Sequence, residues 1–206
     1  MKHVIAGVCV AVPMFAFAAT TINFDADAVG ALPAGWTAGS TGGGTPKWSV
    51  TADPTAPTSP NVLKQLGTGT FPWCVKTDVA IADGFVEVKL KPLRGKEDQA
   101  GGLIWRWRSG ESYYLARVNA LEDNIGLYYV EHGRRKQLMA ADVEVPPHVW
   151  HKLRVEFRGT HIRVLFNDKL YIETDDGHIN EAGAVGVWTK ADSVTEFDDF
   201  GYDGRQ

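Results

Sequence analysis

Arginine, aromatic and carboxylate side chains recur at alternating positions in several short segments of the chain. Alternation places side chains on one face of a β-strand, and in each segment the opposite set is apolar apart from Thr189. A guanidinium donates paired hydrogen bonds to hydroxyls or a carboxylate, and an aromatic ring packs on the apolar face of a sugar, so this combination favours a sugar ligand. The candidate binding residues are Glu87, Arg106, Tyr113, Arg117, Asn119 and Trp188.

The elements that carry these residues have the pattern of an antiparallel all-β domain. From Gly101 to Asp203 the chain alternates with period two, is rich in β-branched and aromatic residues, and is broken by pairs such as Ser109-Gly110 and Asn167-Asp168. Upstream, the Gly, Thr, Ser and Pro content of residues 37–60 predicts long loops around one short strand at Lys47–Val50. Helix is expected only as a single turn within residues 179–182.

The first residues predict an export signal. Lys2 and His3 precede an apolar stretch from Val4 to Phe17, and small residues at Ala16 and Ala18 suit signal peptidase. We expect residues 1–18 to be a signal peptide and residues 19–206 to form one exported domain, periplasmic or extracellular, although an uncleaved anchor is an alternative. After cleavage no membrane association is expected.

The charge and cysteine content limit the classes of partner and the covalent links that we expect. The chain carries 21 Lys and Arg against 25 Asp and Glu, well mixed along the sequence, which argues against nucleic acid as a partner. Cys74 is the single cysteine after cleavage, so we expect no internal disulfide and a monomer that depends on its core. The cysteine is predicted to be an apolar filler, with a nucleophile or an intermolecular bridge as alternatives.

The chain resembles the concanavalin A-like lectin/glucanase superfamily, especially its secreted bacterial 3-keto-disaccharide hydrolase-like and family 16 glycoside hydrolase-like domains. The matching segments are GGLIWR, YYLARVNALEDN, VWHKLRVEF, HIRVLFNDKL and VGVWTKADSVTEFDDF. The resemblance implies a two-sheet jelly-roll β-sandwich, a fold whose concave face usually binds sugar. That fold would bring the candidate residues together on its concave face. The alternative is a solvated face with cross-strand ion pairs such as Glu87 with Arg106.

The resemblance does not decide whether the chain is an enzyme. Hydrolytic members of family 16 carry two glutamates in an E-x-D-x-E or E-x-D-x-x-E run, and no such run occurs here; a retaining mechanism is therefore not expected. If the protein acts on 3-keto or uronate-containing glycosides as a hydrolase or lyase, Glu87 and Glu122 are the candidate bases and Arg106 or Arg117 would stabilise an enolate. An adhesion or structural module is a further alternative to glycan binding.

The resemblance also points to structural calcium. The segment Phe197-Asp198-Asp199-Phe200 is similar to the one that supplies an aspartate to the calcium site of many such jelly rolls, with help expected from the chain near Asp25. The alternative is that Asp198 and Asp199 only cap a turn and meet solvent. No other cofactor is expected, because His148 and His151 are spaced unfavourably for zinc or copper at a strand entry.

Overall fold

The computed structural model describes residues 19–205, which fold into two antiparallel β-sheets packed face to face and contain no helix. This confirms the predicted all-β sandwich, and it leaves no helix in the described chain long and apolar enough to cross a membrane. The helical turn expected within residues 179–182 does not form. The predicted signal peptide lies outside the described residues and stays a prediction.

The two sheets divide the strands between them. Sheet 1 has the spatial order β13-β12-β11-β6-β15-β4-β3, with β1 paired to β15, and sheet 2 has the order β10-β9-β8-β7-β14-β5-β2. The strands of sheet 1 are β1 (Thr20–Ile22), β3 (Trp48–Ala52), β4 (Asn61–Gln65), β6 (Asp83–Arg94), β11 (His151–Arg158), β12 (His161–Phe166), β13 (Lys169–Asp175) and β15 (Val194–Arg205). Those of sheet 2 are β2 (Trp36–Thr45), β5 (Thr68–Ile81), β7 (Ala100–Ser109), β8 (Ser112–Asn119), β9 (Asn124–Glu131), β10 (Arg134–Asp142) and β14 (Gly183–Trp188).

The main hydrophobic core fills the space between the sheets. Trp105 of sheet 2 stacks on Tyr114 with ring centroids 5.3 Å apart and on Phe157 of sheet 1 at 5.8 Å, so aromatic packing joins the two layers. Cys74 is fully buried here, and burial raises the pKa of its thiol. A reactive thiolate is therefore disfavoured, in line with the filler role.

Sheet 2 is also apolar on its outer face. A second cluster of buried side chains covers that face, so this sheet has hydrophobic groups on both sides. Its members are Trp73, Val75, Ala100, Ile104, Tyr113, Leu115, Tyr128, Val130 and Trp188, with Phe71 and Trp107 partly buried against them. We call these eleven residues the outer cluster.

The glycine-rich segment before residue 45 is a strand, which corrects the predicted loop. β2 pairs with β5 from Trp36 to Thr45. A side chain at Gly39 would collide with the ring of Trp73 on β5, so the absence of a Cβ lets the two strands pair under that ring. The register then shifts between Thr41 and Gly44, where the glycines take positive φ.

A bulge in β7 changes which side chains face the core. The pairing of β7 with β8 is irregular between Trp105 and Ser109, and Arg106 has a φ of 48°. The prediction of Arg106 on the outer face, which assumed strict alternation along this strand, is therefore wrong. Trp107 joins the outer cluster, 5.2 Å from Trp73.

The Arg106 side chain closes one end of the sandwich. It is 1% exposed and donates to the carbonyl oxygens of Ala82 at 2.8 and 3.0 Å, Gly159 at 2.8 Å and Ile179 at 2.7 Å. Its guanidinium also lies 5.5 Å from the ring centre of Phe157. One charged group thus satisfies three loop carbonyls that the core would otherwise leave without donors.

We predict that Arg106→Met lowers the free energy of unfolding by on the order of 3 kcal/mol, because several buried acceptors lose a charged donor at once. Arg108→Met is the matched control, since Arg108 lies on the same strand, is half exposed, and only approaches Glu181 at 3.4 Å; its effect should stay below about 1 kcal/mol. Denaturant unfolding measures both. Equal losses for the two variants would contradict the structural role of Arg106.

Candidate functional site

The structure brings four of the six candidate binding residues onto the outer face of sheet 2. Tyr113, Arg117 and Asn119 lie on β8 and Trp188 lies on β14. All four are buried, with exposures between 0% and 4%. A ligand on this face would therefore contact the groups that cover these four side chains rather than the four side chains themselves.

Glu87 and Arg106 do not share this face. Glu87 lies on β6 of sheet 1, where Arg154 donates to its carboxylate at 2.7 Å and Lys152 is 3.3 Å away. The cross-strand pair of Glu87 with Arg106, which belonged to the alternative of a solvated face, does not form either. Alternation predicts which face of a strand carries a side chain. It does not predict to which of the two sheets that strand belongs.

Arg117 anchors a polar cluster at one end of the outer face. It donates to Glu122 at 2.8 Å, to the Tyr128 hydroxyl at 3.0 Å and to the Asn124 side-chain oxygen. Burial acts to raise the pKa of Glu122, but the charge and hydrogen bonds of Arg117 outweigh it, so that the pKa lies below its ordinary value. Glu122, a candidate base, is thus a weak proton acceptor, although it lies beside Arg117, a residue expected to stabilise an enolate.

Asn119 organises the neighbouring loop. Its amide donates to Asp98 at 2.8 Å, and its oxygen accepts from the backbone amides of Gln99 at 3.3 Å and Leu121 at 3.0 Å. Asp98, which is almost fully buried, also forms an ion pair with Lys190. Asn119 and Asp98 together fix the position of the Lys190 ammonium.

Sequence reasoning missed Phe71, a partly buried member of the outer cluster, and Arg135, which lies over that cluster. The Arg135 guanidinium lies 4.7 Å from the ring centre of Phe71, 4.6 Å from that of Tyr128 and 5.7 Å from that of Trp188. Phe71 stacks on Trp188 at 5.7 Å. A hairpin register would have found Arg135, because it is directly opposite Val130, which is opposite Tyr113.

These contacts require sheet 2 to curve. Adjacent strands lie about 4.8 Å apart, so β10 and β5, five strands apart in the order, would be separated by about 24 Å in a flat sheet. The side chain of Arg135 nevertheless reaches Phe71. The outer face of sheet 2 is therefore concave.

A cavity of about 620 Å³ opens beside Arg135 and Phe71. Its lining consists of Thr68, Gly69, Thr70, Phe71, Glu97, Arg135, Lys190, Ala191 and Asp192. The carboxylate of Asp192 accepts backbone amides of residues 96, 97 and 98 at 2.7–3.2 Å, so the rim is held in place. The cavity offers an aromatic ring, two cations and a solvent-exposed carboxylate, Glu97, and its volume is in the range of ligand sites.

The two residues expected near calcium lie close together. Asp198 is fully buried, and burial, together with the charges of Asp199 and Asp25, raises its pKa to about 6. Its oxygens accept the backbone amides of Thr58 at 2.8 Å and Asp199 at 2.7 Å. Between residues 19 and 205 no Lys, Arg or His side chain forms an ion pair with Asp198 or Asp25, and carboxylate oxygens are ligands that calcium prefers.

Asp25 is held in place by amides as well. It accepts the backbone amide of Asn61 and the side-chain amide of Asn23, both at 2.9 Å. No larger group of His, Cys, Asp or Glu side chains suited to a metal occurs in the described part of the chain. Any further calcium ligands would therefore be backbone carbonyls, side-chain oxygens of Asn, Gln, Ser or Thr, or water.

Three solved structures illustrate the likeness of the fold. The carbohydrate-binding module CBM66 from Bacillus subtilis is 20% identical, with 81% of this chain and 93% of that chain covered and a TM-score of 0.66. The cellulose-induced protein Cip1 is 15% identical, with coverages of 90% and 97% and a TM-score of 0.64. A prokaryotic β-1,3-1,4-glucanase (lichenase) derived from a mouse hindgut metagenome is 14% identical, with coverages of 92% and 100% and a TM-score of 0.60. At these identities the likeness shows the jelly-roll fold.

A family model gives a more specific result. The comparison with curated proteins finds no match. The model of the 3-keto-α-glucoside-1,2-lyase-like domain, in contrast, matches residues 34–200, which is most of the chain and includes both sheets. The chain therefore belongs to the 3-keto-α-glucoside-1,2-lyase-like domain family.

Proposed function

We propose that the protein binds an oligosaccharide on the concave outer face of sheet 2, in the cavity beside Arg135 and Phe71. The observation that carries this proposal is the pairing of a partly buried aromatic ring with hydrogen-bonding groups of both signs in one cavity. Phe71 can pack on a sugar ring while Arg135, Lys190 and Glu97 meet its hydroxyls. The likeness to a carbohydrate-binding module and to a glucanase supports a glycan ligand.

Binding without turnover is better supported than catalysis. Of the two candidate bases, Glu87 belongs to the other sheet, and the low pKa of Glu122 leaves its carboxylate tied to Arg117. A carboxylate that removes a proton from carbon works best with a raised pKa. The arrangement therefore suits recognition of a sugar more than proton abstraction from one.

A lyase or hydrolase of 3-keto glycosides is the second candidate, because the family match covers residues 34–200. In such a reaction a base would take the proton from the carbon beside the keto group, and a cation such as Arg117 would stabilise the enolate. Collapse of the enolate would break the glycosidic C–O bond on the adjacent carbon, and the departing sugar oxygen would take a proton from a general acid or from water. Incubation with a 3-keto-α-glucoside, followed by detection of the released sugar, decides between the two. Turnover would make this face an active site, whereas stoichiometric binding without product supports the first proposal.

A matched pair of aromatic truncations tests where the glycan binds. We predict that Phe71→Ala weakens binding by about 1–3 kcal/mol, because the ring would lose its contact with the sugar. Phe85→Ala is the control: Phe85 lies under Arg154 on sheet 1 at 3.7 Å and lines a separate cavity of about 430 Å³. Glycan-array screening followed by calorimetry gives the affinities.

The two variants also distinguish the alternatives. Loss of affinity in Phe85→Ala alone would move the site to sheet 1. Equal affinities in wild type and both variants would show that neither Phe71 nor the cavity beside it takes part in glycan binding. Absence of any glycan ligand would favour an adhesion or structural module.

We predict that the protein releases no reducing ends from laminarin or lichenan. Retaining hydrolysis needs two carboxyl groups about 5–5.5 Å apart, and the strand motif that would supply them is missing. A lichenase assayed in parallel is the positive control. Release that disappears in Glu122→Gln but not in Glu87→Gln would show a catalytic carboxylate on the outer face.

We also propose that Asp198 and Asp25 hold a structural calcium ion. A ligand bound only by the native state stabilises by about 2.7 kcal/mol at 100 times its Kd, so calcium should raise the Tm of chelated protein by about 5–10 °C. Asp198→Asn should abolish this response. Identical melting curves of the wild type with chelator and with calcium would exclude the site, and sugar affinity should be unchanged by the metal.

A further inference from the structure

Among the residues that the structure describes, Arg135 is the one cation at the cavity that lacks an anionic partner. Lys190, the other cation in the lining, pairs with Asp98, and Arg117 in the adjacent cluster pairs with Glu122 at 2.8 Å. Within residues 19–205 no carboxylate lies within 4.0 Å of the Arg135 guanidinium, and no hydrogen bond to its side chain is formed. The other two cations of this region therefore have carboxylate partners, and Arg135 does not.

The surroundings of Arg135 make that lack of a partner costly. Its Nη1 atom is buried without a hydrogen-bond partner in the described structure. The three aromatic rings around the guanidinium attract its charge but accept no hydrogen bond from Nη1. Burial lowers the pKa of the guanidinium, and burial together with the charge of Arg117 outweighs the opposing effects of Tyr128, Asp98 and Tyr113. A guanidinium remains protonated even so, so the native state holds a poorly solvated positive charge.

The acidic groups around the cavity are already engaged or solvated. Asp98 is held by Lys190 and Asn119, and Asp192 accepts three backbone amides. Glu97 is exposed to solvent. None of these carboxylates supplies the counter-ion of Arg135, while the cavity lies directly beside it.

We propose that the saccharide bound in this cavity is acidic, and that Arg135 recognises its anionic group. The inference rests on the oligosaccharide function proposed above and specifies its ligand class. A carboxylate of a uronic acid and a sulfate ester share the required chemistry, since both accept two parallel hydrogen bonds from a guanidinium. Phe71 would pack on the sugar ring, and Lys190 would contact its hydroxyls.

The test compares pairs of saccharides that differ only in whether the acidic group is present in its charged form. Wild-type affinity is measured for cello-oligosaccharides against β-1,4-glucuronan oligosaccharides, for methyl-esterified against free oligogalacturonates, and for desulfated against sulfated galactan oligosaccharides. We expect the charged member of at least one pair to bind at least tenfold more tightly, as a buried charge-assisted hydrogen bond requires. The pair that shows the preference distinguishes carboxylate from sulfate.

Two variants and a control connect the preference to Arg135. Arg135→Gln should abolish the preference between the paired sugars, and Arg135→Lys should retain it in part because the charge remains without the planar fork. Arg108→Gln, which removes an exposed arginine from the same sheet, should leave the preference unchanged. Melting curves check that each variant is folded, and if Arg135→Gln is unfolded, Arg135→Lys carries the test.

The outcomes separate this inference from the proposed function. Neutral and charged sugars bound equally well would overturn the acidic ligand and leave oligosaccharide binding intact. A preference that survives in Arg135→Gln would overturn the role of Arg135. Failure of every saccharide to bind would overturn both proposals.

Discussion

Sheet 2 has hydrophobic side chains on both faces, but sheet 1 can cover only one of them. The face between the sheets forms the main core, and the other must be covered by the residues of sheet 2 itself. The sheet achieves this by curving, so that Phe71 from one side and Arg135 from the other meet over Trp188. Removal of apolar surface from water therefore shapes the concave face, and the cavity is the space that remains beside these covering side chains.

This arrangement explains why the most aromatic positions of the face are not the ones that a ligand would touch. Tyr113 and Trp188 are fully buried and support the covering layer from below. The Tyr113 hydroxyl lies 2.9 Å from the hydroxyl of Thr41 on β2, which ties the strand at one edge of the sheet to its centre. The supporting residues determine the shape of the face, and the covering residues determine its chemistry.

Alternation in the sequence was sufficient to predict the fold class, most strands and the outward direction of Tyr113, Arg117 and Trp188. It could not reveal three features that depend on distant contacts. Gly39 belongs to a strand because Trp73 needs the space of its missing side chain, and Arg106 turns inward because β7 bulges. Glu87 lies on the other face of the molecule because β6 pairs with β11 and β15. The position of Arg135 over the outer face is a fourth such feature, because it depends on the register of the β9–β10 hairpin, in which Arg135 is opposite Val130.

The central claim is that a glycan binds over the outer cluster. The protein has seven tryptophans, and their indole N–H signals in a ¹⁵N NMR spectrum report on separate places in the fold. We predict that titration with a saccharide that binds shifts the signals of Trp188, Trp107 and Trp73. The signals of Trp48 and Trp150 should not change, because Trp48 packs on Phe197 in the main core and the Trp150 indole donates to the Thr55 carbonyl. Shifts confined to Trp48 and Trp150 would contradict the central claim.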